Sequence, residues 1–251
     1  MDSKSTPLTR WRRLLAAIPK RVVSAFRRHG PRSFALHLLK NGVYILGRLN
    51  PSSWNTRSEF DERYRVDTEG IREIGSLDVQ SPNVKHAGRY QASSDTMVRD
   101  ILAKLVIDHR AFTFIDFGAG KGRVLLLAAE YPFAEVVGVE FSPELVEIAK
   151  GNLAAAAEPA VTLRANVHCV VADMTEYKVP LTPLICYFYN PCGEPVMANV
   201  AARLRESWVA APRDIYVIYV DPRHRIVFDT TRFWSHVWEQ PLFVIYRAAA
   251  G

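Results

Sequence analysis

Two acids and three alternating glycines carry the clearest chemical signal in this sequence: Asp116, then Gly118, Gly120 and Gly122, then Glu140, 22 residues after Gly118. The first four stand in F-T-F-I-D-F-G-A-G-K-G-R, residues 112–123. Glycines between a strand and a helix let backbone N–H groups approach a ligand closely. An acid about 20 residues further on is where a βαβ nucleotide fold grips ribose hydroxyls. The pattern therefore reads as a site for an adenosine-containing cofactor. Its spacing narrows the choice. A dinucleotide fingerprint is G-x-G-x-x-G, built around a pyrophosphate. A phosphate loop needs G-x-x-x-x-G-K-[ST], whereas Lys121 follows only Gly118-Ala119-Gly120 and precedes a glycine. Asp116 at the strand end would repel a pyrophosphate and suits a ligand bearing an ammonium group.

The elements that must hold these residues alternate regularly from Asp95 onward. Asp95 can cap a helix with apolar positions at Met97, Val98, Ile101, Leu102, Leu105 and Val106. The patterning then predicts strand 112–117, helix 121–131, strand 135–140 and helix 143–157, the last opened by Ser142-Pro143-Glu144. Strand 166–171 precedes Asp173, and strand 184–189 precedes Asn190-Pro191. Helix 194–209, strand 214–220 and a last strand at 242–247 complete the reading. Strands separated by helices imply an α/β fold with a doubly wound, mostly parallel sheet. Ligands of such sheets lie beyond the carboxyl ends of the strands. Asp116, Glu140, Asp173 and Asn190 each fall at such an end.

With those residues in place, the segment resembles motif I of the class I S-adenosylmethionine-dependent methyltransferases. The resemblance covers residues of about 95–220 well and the first ninety poorly. It implies a seven-stranded sheet and S-adenosyl-L-methionine as cofactor. The turn Gly118, Ala119, Gly120 and Gly122 would hold the methionine end, with Asp116 orienting its ammonium group. Glu140 would accept from both ribose hydroxyls, and Phe141 would lie against the adenine. Asp173 would accept from the adenine amino group, and Met174 would offer its N–H and soft side chain to the ring. A segment ahead of the first core helix often becomes a lid in this family, and Tyr90 is placed to serve in one. In the amino-methylating branch the fourth strand ends in N-P-P-Y, whose Asn side chain and adjacent carbonyl aim the target nitrogen. Here C-Y-F-Y-N-P-C-G, residues 186–193, keeps Asn190 and Pro191 but lacks the second proline and the aromatic residue. Tyr187 or Tyr189 can substitute for the missing ring. The implied reaction is methyl transfer to an amine nitrogen of a protein (lysine-like) or a small molecule. Two alternatives stay open. Pro191-Cys192 is the pair that cytosine-5 methyltransferases use, with the thiolate as nucleophile. A non-catalytic cofactor-fold adaptor is the other.

Composition adds bounds. At 251 residues and 49% apolar content, one α/β domain plus extensions is expected. Three cysteines without a C-x-x-C pair argue against a disulfide framework and a zinc site, and fit a reducing, cytoplasmic compartment. The histidines have no ligand spacing, so no metal is expected. The net charge of +6 is uneven: residues 1–50 hold eleven Lys or Arg against Asp2 alone, which leaves −4 for the remainder. We therefore divide the chain into a helical, basic amphipathic arm at 1–50, a loop-rich lid or linker at 51–94, and a cofactor-binding domain at 95–251. The arm's composition suits contact with an anionic membrane surface or nucleic acid, and also a transit peptide. A solvated helix capping the domain is the plain alternative. The loop Asp221-Pro222-Arg223-His224-Arg225 could meet an acidic substrate or be a solvated turn.

Overall fold

The computed structural model describes residues 58–72, 77, 79, 81–88, 90–156 and 163–248. Runs of β-branched and aromatic residues build seven strands: β1 (Thr113–Phe117), β2 (Glu135–Glu140), β3 (Asn166–Val171), β4 (Leu184–Tyr189), β5 (Ile215–Val220), β6 (Trp234–Gln240) and β7 (Phe243–Ala248). Their order across the sheet is β3-β2-β1-β4-β5-β7-β6. Only β7 runs against the rest, pairing antiparallel with both β5 and β6. Six helices accompany them among the described residues: α1 (Glu59–Tyr64), α2 (Asp95–Leu102), α3 (Arg123–Ala129), α4 (Pro143–Ala156), α5 (Glu194–Ala210) and α6 (Ile226–Asp229).

Strand alternation divides the core in two. Phe114, Val136, Ile185 and Ile218 face a cluster with α2, α3 and α4, including Ile101, Leu125 and Val146. Ile115, Val137, Phe188 and Val217 face the other way, onto Met197, Val200 and Leu204 of α5. Both faces are therefore covered, which is why β1 and β4 read as continuous apolar runs rather than alternating ones. From β1 the chain winds outward through β2 to β3 with helices on one face; from β4 it winds the opposite way, with α5 on the other. Crossovers of one hand demand that arrangement. The strand order reverses between β1 and β4, and a crevice opens at their carboxyl ends.

Local chemistry corrects several expected boundaries. Ser94, not Asp95, caps α2, its hydroxyl accepting from the Met97 N–H. That helix ends at Leu102, so Val106 is 97% exposed rather than part of an apolar stripe. α3 begins at Arg123 rather than Lys121, because Gly120 and Gly122 have φ of +53° and +85°, outside the right-handed helix. In the tail, the sheet edge β6 had no clear signal: six of its seven residues are exposed, so no apolar face marks it. The segment ahead of α2 is more ordered than loops and turns. It contains α1, capped by Ser58 through the Asp61 N–H, and a two-residue antiparallel ladder pairing Ile71–Arg72 with Tyr90–Gln91. The described residues belong to one compact unit. The expectations for the arm at 1–50 lie outside the described residues. No helix among the described residues is long and apolar enough to cross a membrane.

Candidate cofactor site and acceptor approach

The switch point between β1 and β4 holds a pocket of about 900 Å³, open mouth included. Its floor is the strand-end set: Asp116, Gly118, Ala119, Glu140, Phe141, Asp173 and Met174 all line it. Its roof is a strap running from Ser81 to Ser93, which contributes Asn83, Ala87, Gly88, Tyr90, Gln91, Ala92 and Ser93.

The glycine turn and Glu140 organise each other. Glu140 is 4% exposed, and its Oε2 accepts the Gly120 N–H at 2.9 Å while Oε1 accepts the Ser142 N–H at 2.9 Å. Burial pushes its carboxyl above the usual range, opposed by the N–H groups of Ser142, Gly120 and Phe141. A carboxylate offers about four lone-pair positions, so acceptor capacity remains after these N–H groups are placed. Asp116 is buried beside it. Burial, reinforced by the nearby Glu140 charge, raises the Asp116 carboxyl well above the usual range. Two acids in one buried cleft hold unused affinity for a cation. Gly120 shows how close the roof lies: a Cβ there would stand 2.2 Å from Cε2 of Tyr90. The Tyr90 ring occupies the place a side chain would need, and its hydroxyl donates to the Thr68 carbonyl at 2.6 Å. Gly122 serves a different purpose. It faces Ala149 of α4, 3.2 Å from where its Cβ would be, and neither it nor Gly120 lines the pocket, whereas Gly118 and Ala119 do.

Asp173 lines the pocket but is engaged by its own chain. Oδ2 accepts from Ser81 Oγ at 2.5 Å and Asn83 Nδ2 at 2.9 Å; Oδ1 accepts from the Thr175 N–H at 2.8 Å and Thr175 Oγ1 at 2.7 Å. Burial pushes its carboxyl up, but these donors outweigh burial, and it titrates below the usual range. Its four acceptor positions are thus occupied, and the expected bond from an adenine amino group would require the strap contact to open.

At the end of β4 the expected catalytic residues separate. Tyr189 and Pro191 line the pocket, together with Tyr187 and Cys192, and Asn190 does not. Asn190 takes a left-handed backbone, φ 39°, as does Asp221 at the end of neighbouring β5, φ 45°. Its Nδ2 donates to Asp221 Oδ2 at 3.2 Å, toward β5. The Pro191 carbonyl accepts the Gly88 N–H at 2.8 Å, and the Gly193 N–H donates back to the His86 carbonyl at 2.7 Å. The strap is therefore clasped to the fourth strand's end. Cys192 is 7% exposed, donates to Met174 Sδ at 3.7 Å, and burial pushes its thiol up to about 12. A thiol held protonated is a poor nucleophile, which disfavours the covalent reading. The loop after β5 spends its cations internally: Arg223 pairs with Asp221, and Arg225 with Asp229 and Glu239. Among the described residues no cluster of His, Cys, Asp or Glu could hold a metal ion.

The chain's likeness to known proteins agrees with this geometry. Residues 114–206 match the family model described as a methyltransferase domain. That stretch of the chain is therefore similar to a methyltransferase domain. It is 29% identical, over 147 residues, to trans-aconitate 2-methyltransferase from Azoarcus sp. (strain BH72), covering 55% of this chain and 51% of that protein. The chain thus spans about half the length of that curated relative. Among solved structures, a putative methyltransferase from Pseudomonas syringae aligns with a TM-score of 0.44 at 16% identity, over 61% of this chain and 97% of that one. An RNA methyltransferase from Salinibacter ruber in complex with S-adenosyl-L-homocysteine aligns with a TM-score of 0.41 at 19% identity, over 62% and 92%. Gln91, Ser93, Arg123 and Tyr187 also line the pocket. Sequence reasoning had not singled out the first three: a glutamine, a serine and a helix-start arginine have no signature spacing. Tyr187 had been noted only as a substitute ring.

Proposed function

We propose that the chain transfers a methyl group from S-adenosylmethionine to an amine nitrogen. Bound S-adenosylmethionine supplies an electrophilic methyl carbon on a sulfonium sulfur. The residues fit that group: buried Asp116 for the ammonium, Glu140 with acceptor capacity left for the ribose hydroxyls, and a turn at Gly118 and Gly120 that a Cβ would crowd. The chain's task is to hold an acceptor lone pair in line with the reacting carbon and keep water out, a gain from positioning.

One observation carries the choice of an amine. The described pocket lining holds the carboxylates of Asp116, Glu140 and Asp173, and a single cation, Arg123. That guanidinium is directed onto its own chain, contacting Thr68, Ser93, Ser58, Asp61 and Glu69. A carboxylate acceptor, as in the name of the Azoarcus relative, would find no available counter-ion among the described lining residues. A neutral amine arriving between Tyr187, Tyr189 and Pro191 meets hydroxyls and apolar walls and needs no counter-ion. The Pro191 carbonyl, which accepts the Gly88 N–H, keeps a second lone pair for an acceptor nitrogen. The protein's acceptor is read here as a lysine-like or small-molecule amine, with the compartment expected to be cytoplasmic. Incubation with radiolabelled S-adenosylmethionine and native lysate, fractionated into protein, nucleic acid and small molecules, tests this reading. Label in protein or in amine-bearing metabolites supports it; label confined to nucleic acid or to carboxylate esters refutes it.

A further inference from the structure

Arg123 is the most heavily engaged side chain near the pocket, and nothing in the reaction requires it there. It follows the last glycine of the turn, is 6% exposed, and spreads its guanidinium over two separated stretches of chain. Nε donates to Thr68 Oγ1 at 2.7 Å and Nη1 to the Ser93 carbonyl at 3.3 Å. Nη2 reaches Asp61 Oδ1 at 3.1 Å, Ser58 Oγ at 3.1 Å and Glu69 Oε1 at 2.7 Å. Phe60 packs its ring 4.7 Å from the guanidinium carbon.

Thr68 and Ser93 flank the two-residue ladder that forms the neck of the strap, where Ile71 pairs with Gln91 and Arg72 with Tyr90. A ladder of that length contributes little by itself. The guanidinium bridges its two stems where the ladder leaves off. Asp61, 1% exposed, completes the neck by accepting the Thr68 N–H at 2.8 Å and the Glu69 N–H at 3.0 Å. Lys121, from the same glycine turn, adds a second hold: Nζ donates to Asp67 Oδ1 at 3.0 Å and to the Glu69 carbonyl at 2.8 Å. The Thr68 carbonyl then takes the Tyr90 hydroxyl, and the Tyr90 ring lies on Gly120.

We propose that Arg123 is a positioning residue for the cofactor: it staples the neck of the strap and thereby fixes Tyr90 as the roof over the glycine turn. The inference rests on the reading above that this pocket binds S-adenosylmethionine. Arginine is required because one planar fork must serve Thr68, Ser93 and two carboxylates at once; a lysine ammonium is a compact point charge. A buried ion cluster is weak evidence of net stability, and its effect here is to select one placement of the strap.

A double-mutant cycle tests the link, with calorimetric titration of S-adenosylhomocysteine as the probe. Arg123→Lys keeps the charge and loses the fork; Tyr90→Phe keeps the ring and loses the anchor to Thr68. Each single change should weaken binding about tenfold, and the double variant should be no weaker than either single, since both act on one path. Additive losses, about a hundredfold in the double variant, would show that Arg123 does not act through Tyr90 and overturn the proposal. Unchanged affinity in Arg123→Lys would overturn it as well. Should Arg123→Lys fail to fold by circular dichroism, Asp61→Asn takes its place in the cycle with the same expectation. A wild-type chain that binds no S-adenosylhomocysteine removes the pocket assignment and this proposal with it, whereas wild-type binding with additive losses removes this proposal alone.

Discussion

Glu140→Gln keeps the side chain's size but replaces one acceptor oxygen with a donor. In the native chain both oxygens already accept a backbone N–H, from Gly120 and from Ser142, each at 2.9 Å. Glutamine must turn its NH₂ toward one of those donors. On the ligand side an acceptor oxygen is then lost to the ribose hydroxyls. Losing one hydrogen bond to a charged acceptor costs about 1.5–3 kcal/mol, which is roughly a 10- to 100-fold loss of affinity. Stability should change less. Burial already raises the Glu140 carboxyl, so ionising it in the free chain is unfavourable, and glutamine removes that cost as it loses a bond. The pH dependence separates these effects. Because the folded value lies above the unfolded one, the native chain binds more protons, and Glu140's contribution to stability declines as pH rises through that window. Cofactor affinity runs the other way, falling as pH drops and the carboxyl protonates. Calorimetry with S-adenosylhomocysteine between about pH 5 and 8 should show an acid-side loss in the wild type that is smaller in Glu140→Gln, the remainder belonging to the raised Asp116 carboxyl. Affinity within about twofold of wild type at neutral pH would refute the assignment of Glu140 to the ribose, since a lost charge-assisted bond cannot cost so little.

Asp116→Asn should raise the thermal midpoint of the free chain at neutral pH, because burial disfavours the native charge, yet weaken S-adenosylhomocysteine binding by about tenfold or more; a variant both less stable and equally tight would contradict the ammonium role. Gly120→Ala puts a methyl 2.2 Å from the Tyr90 ring at a φ of +53°, so the strap must lift and affinity should fall at least tenfold by calorimetry; retained affinity would mean the roof does not touch the ligand. Cys192→Ser should leave turnover within about twofold and form no adduct with a mechanism-based pyrimidine analogue, given a thiol pushed up to about 12; a folded, cofactor-binding but inactive variant would restore the covalent reading.

The class of fold and the cofactor end of the site were legible in the sequence because each rests on local rules. Strands β1, β2, β4 and β5 announce themselves as apolar runs buried on both faces, and Gly118, Gly120 and Gly122 mark a turn whose positive φ values other residues rarely adopt. Asp116 and Glu140 were readable for the same reason: each ends a strand, and strand ends in a doubly wound sheet converge. β6 was not, because an edge strand with both faces in solvent has no alternation to display.

What tertiary structure alone decided is which partners those residues take. Asp173 stands where sequence placed it, but Ser81 and Asn83, about ninety positions earlier in the chain, fill its Oδ2, and no spacing rule links them. Asn190 ends β4 as expected, yet a left-handed backbone and the neighbouring Asp221 carry its amide toward β5. Lys121 and Arg123 were only letters of the turn until the fold brought Asp61, Asp67 and Glu69 against them. A residue's type and its strand end follow from short-range sterics and hydrogen-bond periodicity, which a sequence carries. The choice of partner across fifty to a hundred residues depends on packing, and only the folded chain expresses it.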